Sequence, residues 1–507
     1  MRGRPLHPNP VVPGAVGSLS PRQHDPRTAV TGNGNGQAGA AGLGVLGAAV
    51  PQVTVDHQVA RHIKTQVGKQ LAQARKANPA MSPASQEQQA RRWINDAVAV
   101  WSDAVAAERG VSPSAAEDAA LARTVFDLLF RAGRLQPHLD NPRVENIFIN
   151  GHEEVWLDFG GGRRERAEPV ADSEEELLAL LEDLARNSGQ SERSLSTARP
   201  MLALRLPDGS RLQAFTGVSP KTYVTIRRHR VWDVDLDGLV KLGTLDTTLA
   251  QFLRACIRAE KNVMIAGEQA AGKTSLLRAL LKEFDPDERF ATVETEFELF
   301  AHTNSYHRQV IALEGRESNG ERGPDGRGVG EITLLDLLHP ALRMSLSRVV
   351  VGEVRGPEVV AMMQALTSGK GGNLCTLHAR RPQVVFDRIA ELYALADGNL
   401  SEQLAYRQIA NGLDFIVYVS LIDETKTGGQ RHRFVSHVLE VTGMGENGRP
   451  ATNEIFAPAP EQGEPRAVPR MHPACSEDLR RAGFSPHLLD QPYGAWDQTL
   501  ALKVGSL

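Results

Sequence analysis

Eight residues in the middle of the chain have the types and the spacing needed to hold the phosphates of a nucleotide. They fit the pattern G-x-x-x-x-G-K-[ST] and are Gly267, Glu268, Gln269, Ala270, Ala271, Gly272, Lys273 and Thr274. In such a loop the glycines let successive backbone N–H groups point at phosphate oxygens, and the following helix N-terminus adds partial positive charge. Lys273 is expected to reach the β- and γ-phosphates, and the hydroxyl of Thr274 to bind Mg²⁺. The motif therefore predicts a nucleotide-binding protein.

The segments on either side of this loop have the patterns that its chemistry requires. Residues 263–266 are apolar and, with Asn262 before them, predict a buried strand at 262–266, and residues 275–282 predict a helix. Ser275, at the start of that helix, is therefore grouped with the residues that bind the nucleotide. The alternative is a glycine-rich turn that fits the pattern by chance, and the strand–loop–helix order disfavours it.

Two further apolar segments end in residues that could act on a bound nucleotide. Glu353 follows the apolar residues 349–352, and a carboxylate at such a position can hold Mg²⁺ or its water ligands. His378 follows residues 373–377. Taken alone, each has a plain alternative, a solvent-exposed glutamate or a structural histidine. Because ligands bind at the carboxyl ends of parallel strands, we expect both side chains to lie beside the phosphate loop.

Two glutamates after another predicted strand are candidates for the general base. The strand is predicted at residues 289–293, and Glu294 and Glu298 follow it. A carboxylate there can orient the attacking water and take its proton. Glu294 is the first choice and Glu298 the second. The alternative is a solvated acidic turn without a catalytic role.

The composition of the chain limits the classes of function that remain. The chain has 507 residues, of which 41% are hydrophobic, and this is enough for several sizeable cores. A net charge of −4 and an aromatic content of 5% argue against a nucleic-acid-binding surface, and therefore against a DNA-translocating helicase. Three scattered cysteines favour a reducing, cytoplasmic setting. Since no apolar run reaches the roughly 20 residues of a membrane helix, we expect no direct membrane span.

Changes in pattern along the chain predict several domains. A glycine- and proline-rich start is predicted to be disordered, and helical spacing of apolar residues follows it. Alternating strands with one amphipathic helix come next, and then apolar strands alternate with helices, as in a parallel sheet covered on both faces. The predicted boundaries are 1–54 for the disordered N-terminus, 55–138 for a helical module, 139–235 for an α+β domain, 236–442 for an α/β nucleotide-binding domain, and 443–507 for an irregular C-terminal tail with a short helix near residues 476–482.

The order of these motifs resembles that of the ATPases of type II and type IV secretion systems. Those ATPases carry a Walker A loop, an acidic box, a Gly-Glu Walker B strand and a histidine box, in the order found here. More narrowly, the chain resembles the CpaF-like branch, which powers assembly of Tad (Flp-type) pili. The resemblance extends over residues 144–421 and is carried by 200–211, 341–344, 349–356 and 376–379.

The resemblance implies a RecA-like P-loop domain, a ring of six identical chains, and a nucleotide held between that domain and the α+β domain. It implies ATP and Mg²⁺ at the site, a γ-phosphate sensor at His378, and arginines that neutralise the transferring phosphoryl group. Those arginines are Arg205, Arg211, Arg227 and Arg228 from the α+β domain, and Arg343 and Arg348 from the region before the Walker B glutamate.

The expected function is that of a motor that hydrolyses ATP at the cytoplasmic face of the inner membrane. The resemblance implies inner-membrane platform proteins of a pilus or secretion machine as partners. A conjugation or type IV secretion ATPase, which moves DNA or effector proteins, is the alternative within the class. A nucleotide-binding scaffold with little turnover is the alternative outside it, because Thr295 stands where the family usually has aspartate. The same replacement leaves the choice between Glu294 and Glu298 open.

Overall fold

A computed structural model describes most of the chain after its first 54 residues. The described residues are 55–160, 162–187, 195, 200–228, 234–316, 318, 323–324, 326–367, 370–396 and 400–503. The predicted disorder of residues 1–54 lies outside them.

Helices open the described part of the chain, as the apolar spacing predicts. They are α1 His57–Ala77, α2 Pro83–Arg109, α3 Ala115–Phe130 and α4 Gln136–Asp140. The start of α3 is fixed by a capping box, in which the Ser114 hydroxyl accepts from the Glu117 N–H and the Glu117 carboxylate accepts from the Ser114 N–H. Buried residues at helical spacing, such as Val67, Ile94 and Val125, form one core between α1, α2 and α3. Within the described ranges, no helix combines the length and apolar character that crossing a lipid bilayer requires.

A six-stranded antiparallel sheet follows, with strand order β3-β2-β1-β6-β5-β4. Its elements are β1 Asn146–Asn150, β2 Val155–Asp158, β3 Arg164–Ala167, α5 Glu174–Asn187, β4 Met201–Arg205, β5 Arg211–Phe215 and β6 Tyr223–Arg227. Strands β1 and β2 form a hairpin, with Ile147 paired to Leu157. One face of the sheet packs with α5 in a core that also includes Leu135 and Leu139, so this core takes in residues that lie before the predicted start of the α+β domain at residue 139.

The rest of the described chain is built on a nine-stranded sheet with order β15-β14-β13-β12-β7-β11-β10-β8-β9. Its elements are α6 Leu236–Lys241, α7 Thr247–Arg258, β7 Val263–Gly267, α8 Lys273–Leu281, β8 Arg289–Glu294, β9 Gln309–Glu314, α9 Leu334–Ala341, β10 Arg348–Val354, α10 Glu358–Thr367, β11 Leu374–His378, α11 Val385–Ala396, α12 Glu402–Gly412, β12 Phe415–Asp423, β13 Arg431–Met444, β14 Pro450–Ala459, β15 Glu464–Pro469 and α13 Ser476–Arg481. The six strands from β12 to β9 are parallel to one another, which confirms the predicted parallel sheet.

The strand that leads into the phosphate loop, β7, lies between β11 and β12 and is buried along its whole length. Helices cover both faces of the sheet. On one face, Val263 packs in a core with Phe252 of α7. On the other, Met264 packs in a core with Met362 of α10. This arrangement explains why β7 has a continuous apolar sequence rather than an alternating one, and it is the α/β class that the sequence predicts.

The prediction of an irregular tail after residue 442 is wrong. Strand β13 runs across that boundary, and β14 and β15 extend the sheet in antiparallel fashion. Their prolines and charges obscured the strand pattern, but β15 is an edge strand, where proline and exposed polar residues are tolerated. The short helix expected near residues 476–482 is present as α13.

The segment after α13 is held against the sheet by specific hydrogen bonds. The backbone N–H of Ala495 donates to Asp246, the N-cap of α7, over 2.6 Å. Arg466 of β15 donates to the carbonyl of Gln498 over 2.6 Å and forms a buried ion pair with Glu464. These bonds join the end of the described chain to both the edge strand and the first long helix of the nucleotide-binding region.

Candidate nucleotide site

The phosphate-loop motif lies between the end of β7 and the start of α8, as its chemistry requires. At Gly267, φ is +157°, and a Cβ there would lie 2.3 Å from the Val419 carbonyl oxygen of β12, so only glycine fits. Ala270 has a positive φ of 61°, a conformation that a residue with a side chain adopts at a cost and that is found at ligand sites. Exposed residues of the loop and helix start are Glu268, Gln269, Ala270 and Ser275.

Lys273 is buried, and its ammonium group is folded back onto the loop. Nζ donates to the carbonyl oxygens of Glu268 at 2.8 Å and Gly267 at 3.2 Å, and lies 3.1 Å from Nδ1 of His378. Burial lowers the pKa of Lys273 to about 8, although the carboxylate of Glu353 opposes that shift. The lysine is therefore held at the site by groups that a phosphate could replace.

His378 connects Lys273 to Glu353. Its Nε2 lies 2.5 Å from Oε1 of Glu353, and its Nδ1 faces Lys273. Since the ammonium can only donate, Nδ1 accepts, which leaves the ring proton on Nε2, the nitrogen that faces the Glu353 carboxylate. Burial would raise the pKa of Glu353, but the hydrogen bond from His378 and the charge of Arg355 outweigh it and lower this pKa to about 2. Glu353 is thus ionised at neutral pH, as a group near Mg²⁺ must be.

Arg355 is a member of this cluster to which the sequence analysis gave no role. Its guanidinium forms an ion pair with the second carboxylate oxygen of Glu353. The sequence feature that could have identified Arg355 is its position two residues after Glu353 at the end of a strand. Residues i and i+2 of a strand share a face, so the two side chains are expected to lie together.

Glu298 lies directly beside Thr274. The Thr274 hydroxyl donates to Oε2 of Glu298 over 3.2 Å, and Arg211 from β5 lies 3.0 Å from Oε1. Arg278 of α8, also missed from the sequence, donates to the Glu298 carbonyl over 2.7 Å and so fixes the loop that carries this residue. The carboxylate of Glu298 is about three-quarters buried, with 23% of its side chain exposed.

Glu294 occupies a different position, at the closed base of the same loop. Its Oε2 accepts from the backbone N–H groups of Glu298 at 2.8 Å and Leu299 at 2.9 Å, and only 2% of the residue is exposed. It packs beneath Gly352, where a Cβ would lie 3.0 Å from Cγ of Glu294. This close approach explains the glycine before Glu353. Burial raises the pKa of Glu294 to about 7.

The arginines of the α+β region form a row on the strand ends that face this loop. Arg205, Arg211 and Arg227 are register partners on β4, β5 and β6. Arg205 lies 2.7 Å from the carboxylate of Glu314, and Arg211 also forms an ion pair with Glu296. Arg205 and Arg211 are therefore brought to the acidic loop, while Arg227 is exposed beside them.

The other predicted arginines are not brought to this cluster. Arg348 starts β10, at the opposite end of the strand from Glu353, where it is buried and bonded to Glu288 at 2.6 Å. Its assignment to the nucleotide is corrected for that reason. Arg228 donates to backbone carbonyls around residues 141–144, within the α+β region, and its assignment is corrected likewise. Arg343 is exposed just after α9.

The oxygen groups of the cluster fit the predicted magnesium ion, which would be bound together with nucleotide phosphates. Within the described ranges, no group of three or more His, Cys, Asp or Glu residues forms a ready-made metal site. Magnesium in such enzymes needs only one or two protein oxygen ligands besides the phosphates. The Thr274 hydroxyl and the ionised Glu353 supply hard oxygen donors of that kind.

The raised pKa of Glu294 predicts a measurable effect of pH on stability. In the folded protein this pKa is about 7, against an ordinary value of 4.5, so folding favours the protonated acid. The resulting stabilisation is complete below pH 4.5 and is lost as pH rises through 7, a change of about 3 kcal/mol. Relative to Glu294→Gln, the wild-type melting temperature should therefore fall between pH 5 and pH 8. Parallel profiles for the two proteins would contradict this.

Comparison with known proteins identifies one matching family and several relatives. The family described as type II/IV secretion system protein matches residues 134–462. A conjugal transfer protein of Mycobacterium tuberculosis strain H37Rv is 32% identical over 297 residues, covering 57% of this chain and 80% of the relative. The type IV secretion system protein VirB11 of Brucella suis is 28% identical over 332 residues, covering 60% of this chain and 87% of the relative.

Two solved structures are similar over most of their own length. The VirB11 ATPase from the Brucella suis type IV secretion system, in complex with sulphate, has 25% sequence identity and a TM-score of 0.31, covering 61% of this chain and 92% of that one. The pilus retraction motor PilT with bound ADP has 14% identity and a TM-score of 0.41, covering 72% of this chain and 90% of that one.

Proposed function

Because the chain belongs to the type II/IV secretion system protein family, we propose that it is a motor that hydrolyses ATP to ADP and phosphate. The observation that carries this proposal is the linked cluster of Lys273, His378 and Glu353 on one side of the loop and Thr274 with Glu298 on the other. These groups come from the ends of different elements and meet at the carboxyl edge of a parallel sheet, where ligands of such sheets bind.

In the proposed reaction, the loop N–H groups and Lys273 hold the phosphates. Lys273 leaves the carbonyl oxygens of Gly267 and Glu268, and its contact with a phosphate replaces both. Thr274 and Glu353 are the residues that would hold Mg²⁺, which when bound neutralises charge on the phosphates. The low pKa of Glu353 keeps it charged for this role.

We assign the general base to Glu298, with Glu294 as a positioning residue. A base must come within hydrogen-bond distance of the attacking water, and the Glu298 carboxylate lies beside Thr274 and is partly accessible. Glu294 is almost fully buried and binds the backbone of the loop that carries Glu298. Its pKa of about 7 would suit a base, so Glu294 remains the second choice on chemical grounds.

Arg211 and His378 are proposed to report the state of the nucleotide. Arg211 is paired with Glu296 and Glu298, and a γ-phosphate would offer its guanidinium a stronger partner. Exchange of Arg211 from Glu298 to phosphate would free the base and draw the α+β region onto the site. His378 contacts both Lys273 and Glu353, so loss of phosphate would alter both contacts.

The work of this motor is proposed to be assembly of Tad (Flp-type) pili by a hexameric ring at the cytoplasmic face of the inner membrane. The motifs at 349–356 and 376–379 support this branch. The relatives named for conjugal transfer and type IV secretion favour a second candidate, a type IV secretion ATPase with the same active site. Either motor would act through inner-membrane platform proteins. Co-purification with the platform protein of one machine and not of the other would separate the two candidates.

The proposal is tested by measuring ATP hydrolysis and particle mass on the same purified full-length samples. Hydrolysis with Mg²⁺ and none with EDTA, from particles of six chains, is the expected result. Glu353→Ala should lower this activity strongly without changing the mass. A ring that binds ATP but hydrolyses it no faster than Glu353→Ala would contradict the motor and favour a nucleotide-binding scaffold.

A further inference from the structure

A cavity away from the nucleotide cluster has the features of a ligand site. It has a volume of about 460 Å³, lies between α2 and α3, and includes residues that follow α3. Ala119 and Ala122 leave room for it on α3, and Ile94 and Phe126 add apolar walls. Cavities that bind small molecules generally measure about 300 to 1,000 Å³. None of its residues belongs to the nucleotide cluster described above.

An unsatisfied buried carboxylate faces this cavity. Asp127 of α3 lines it and is only 3% exposed, and its Oδ1 has no hydrogen-bond partner in the described chain. The nearest guanidinium nitrogen, on Arg131, is 3.8 Å from Oδ1, which is too far for a hydrogen bond. Folded proteins rarely leave a buried acceptor without a donor. A ligand with an N–H group in the cavity would supply that donor.

Positive charge surrounds the same cavity. Arg91, Arg123 and Arg131 line it, against Asp127 and Asp140. The ion pairs of Arg131 with these two acids are long, at 3.8 Å each, and in the described part of the chain Arg91 and Arg123 have no ion pair. An anionic group on the ligand would pair with these guanidinium groups.

A planar surface is available beside that charge. The guanidinium carbon of Arg91 lies 3.7 Å from the centre of the Phe126 ring, which is van der Waals contact. Because a guanidinium held on an aromatic ring has a second face, it can stack on the flat ring of a ligand. The cavity therefore offers one acceptor for N–H, several cations and a stacking surface.

We propose that this cavity binds a purine nucleotide. A purine carries N–H donors on its base edge for Asp127, a flat ring for Arg91 and phosphate for Arg123 and Arg131. An acidic peptide without an aromatic residue would also pair with the arginines, but it offers no flat ring to stack on Arg91. The shared chemistry does not choose between adenine and guanine nucleotides, which differ in their base-edge donors, so both are tested.

The test uses the full-length protein and two photoreactive probes, 8-azido-ATP and 8-azido-GTP. After irradiation and proteolysis, mass spectrometry locates the labelled peptides. We expect label from at least one probe on peptides of α2 or α3, in addition to label on the phosphate loop. Excess unlabelled nucleotide should remove the α2–α3 label, and the same concentration of inorganic phosphate should not.

Variants of the cavity make the test specific. Arg123→Glu and Asp127→Asn should each reduce the α2–α3 label about tenfold and leave the phosphate-loop label unchanged, since a charged hydrogen bond is worth about that factor. Arg92→Glu is the matched control, because Arg92 is an exposed neighbour on α2 that does not line the cavity. Equal melting temperatures would show that the variants fold.

The outcomes separate this proposal from the proposed function. If only one of the two probes labels α2 or α3, the result supports the site and shows whether it prefers adenine or guanine. Label confined to the phosphate loop with both probes, or α2–α3 label that persists in both cavity variants, overturns the second site and leaves the motor intact. Normal α2–α3 label from a protein that shows no Mg²⁺-dependent ATP hydrolysis would instead count against the motor.

Discussion

Lys273→Ala is expected to lower Mg²⁺-dependent ATP hydrolysis by about a hundred- to a thousandfold, the usual cost of removing one group that stabilises charge in a transition state. Lys273 lies at the centre of the cluster, in contact with the loop carbonyls and with His378. Because the lysine is buried and its pKa is about 8, its charge is weakly solvated and available to a phosphate. Steady-state phosphate release at saturating ATP measures the effect.

The control for this variant is the same substitution at Lys426, which is exposed. Lys426→Ala should retain wild-type activity. The Lys273→Ala protein should keep its melting temperature, since burial of a lysine gives little stability by itself. If the Lys273→Ala protein kept wild-type activity, the proposed role of the phosphate loop in ATP hydrolysis would be wrong.

Glu298→Gln is expected to lower kcat by about 10²- to 10⁴-fold, the contribution of a general base. The amide keeps the size of the side chain and an acceptor for the Thr274 hydroxyl, but it cannot take a proton. ATP affinity should change little, so the loss should appear in kcat rather than in KM.

Glu294→Gln is the comparison that decides between the two glutamates. Glutamine can still accept the backbone N–H groups of Glu298 and Leu299 through its amide oxygen, so the loop should keep its shape. We therefore expect a much smaller loss than in Glu298→Gln. If the larger loss falls on Glu294→Gln, the base is Glu294 and Glu298 positions Thr274.

The phosphate loop was predictable because local sequence and tertiary environment agree there. All five residues of β7 are buried, so their apolar run identified a central strand. Ligands of parallel sheets bind at the carboxyl ends of the strands, and this rule also predicted that Glu353 and His378 lie at the same end of the sheet as the phosphate loop. Their direct contacts depend on strand register, which pairs His378 with Gly267 across more than 100 residues. No local pattern encodes that pairing.

The misassignment of Arg348 has a simple physical cause. It belongs to the same strand as Glu353, but five residues earlier, which along a strand is about 16 Å. The direction of the strand alone could have excluded Arg348 from the nucleotide site, because Arg348 lies at the start of the strand and Glu353 near its end. The strands after residue 442 were missed because prolines and charges obscure their pattern, and an edge strand such as β15 tolerates both. Arg278 could not be found from a pattern, since it binds a backbone carbonyl.

The bonds that hold the last described residues restrict where the protein can be shortened or labelled. Ending the chain before Ala495 would remove one hydrogen bond to the cap of α7, although the sequence there looks dispensable. It would also remove the carbonyl of Gln498, which Arg466 binds beside Glu464. A fluorophore or affinity tag is therefore better joined after residue 503 than used to replace residues 495–503, and limited proteolysis should spare this segment.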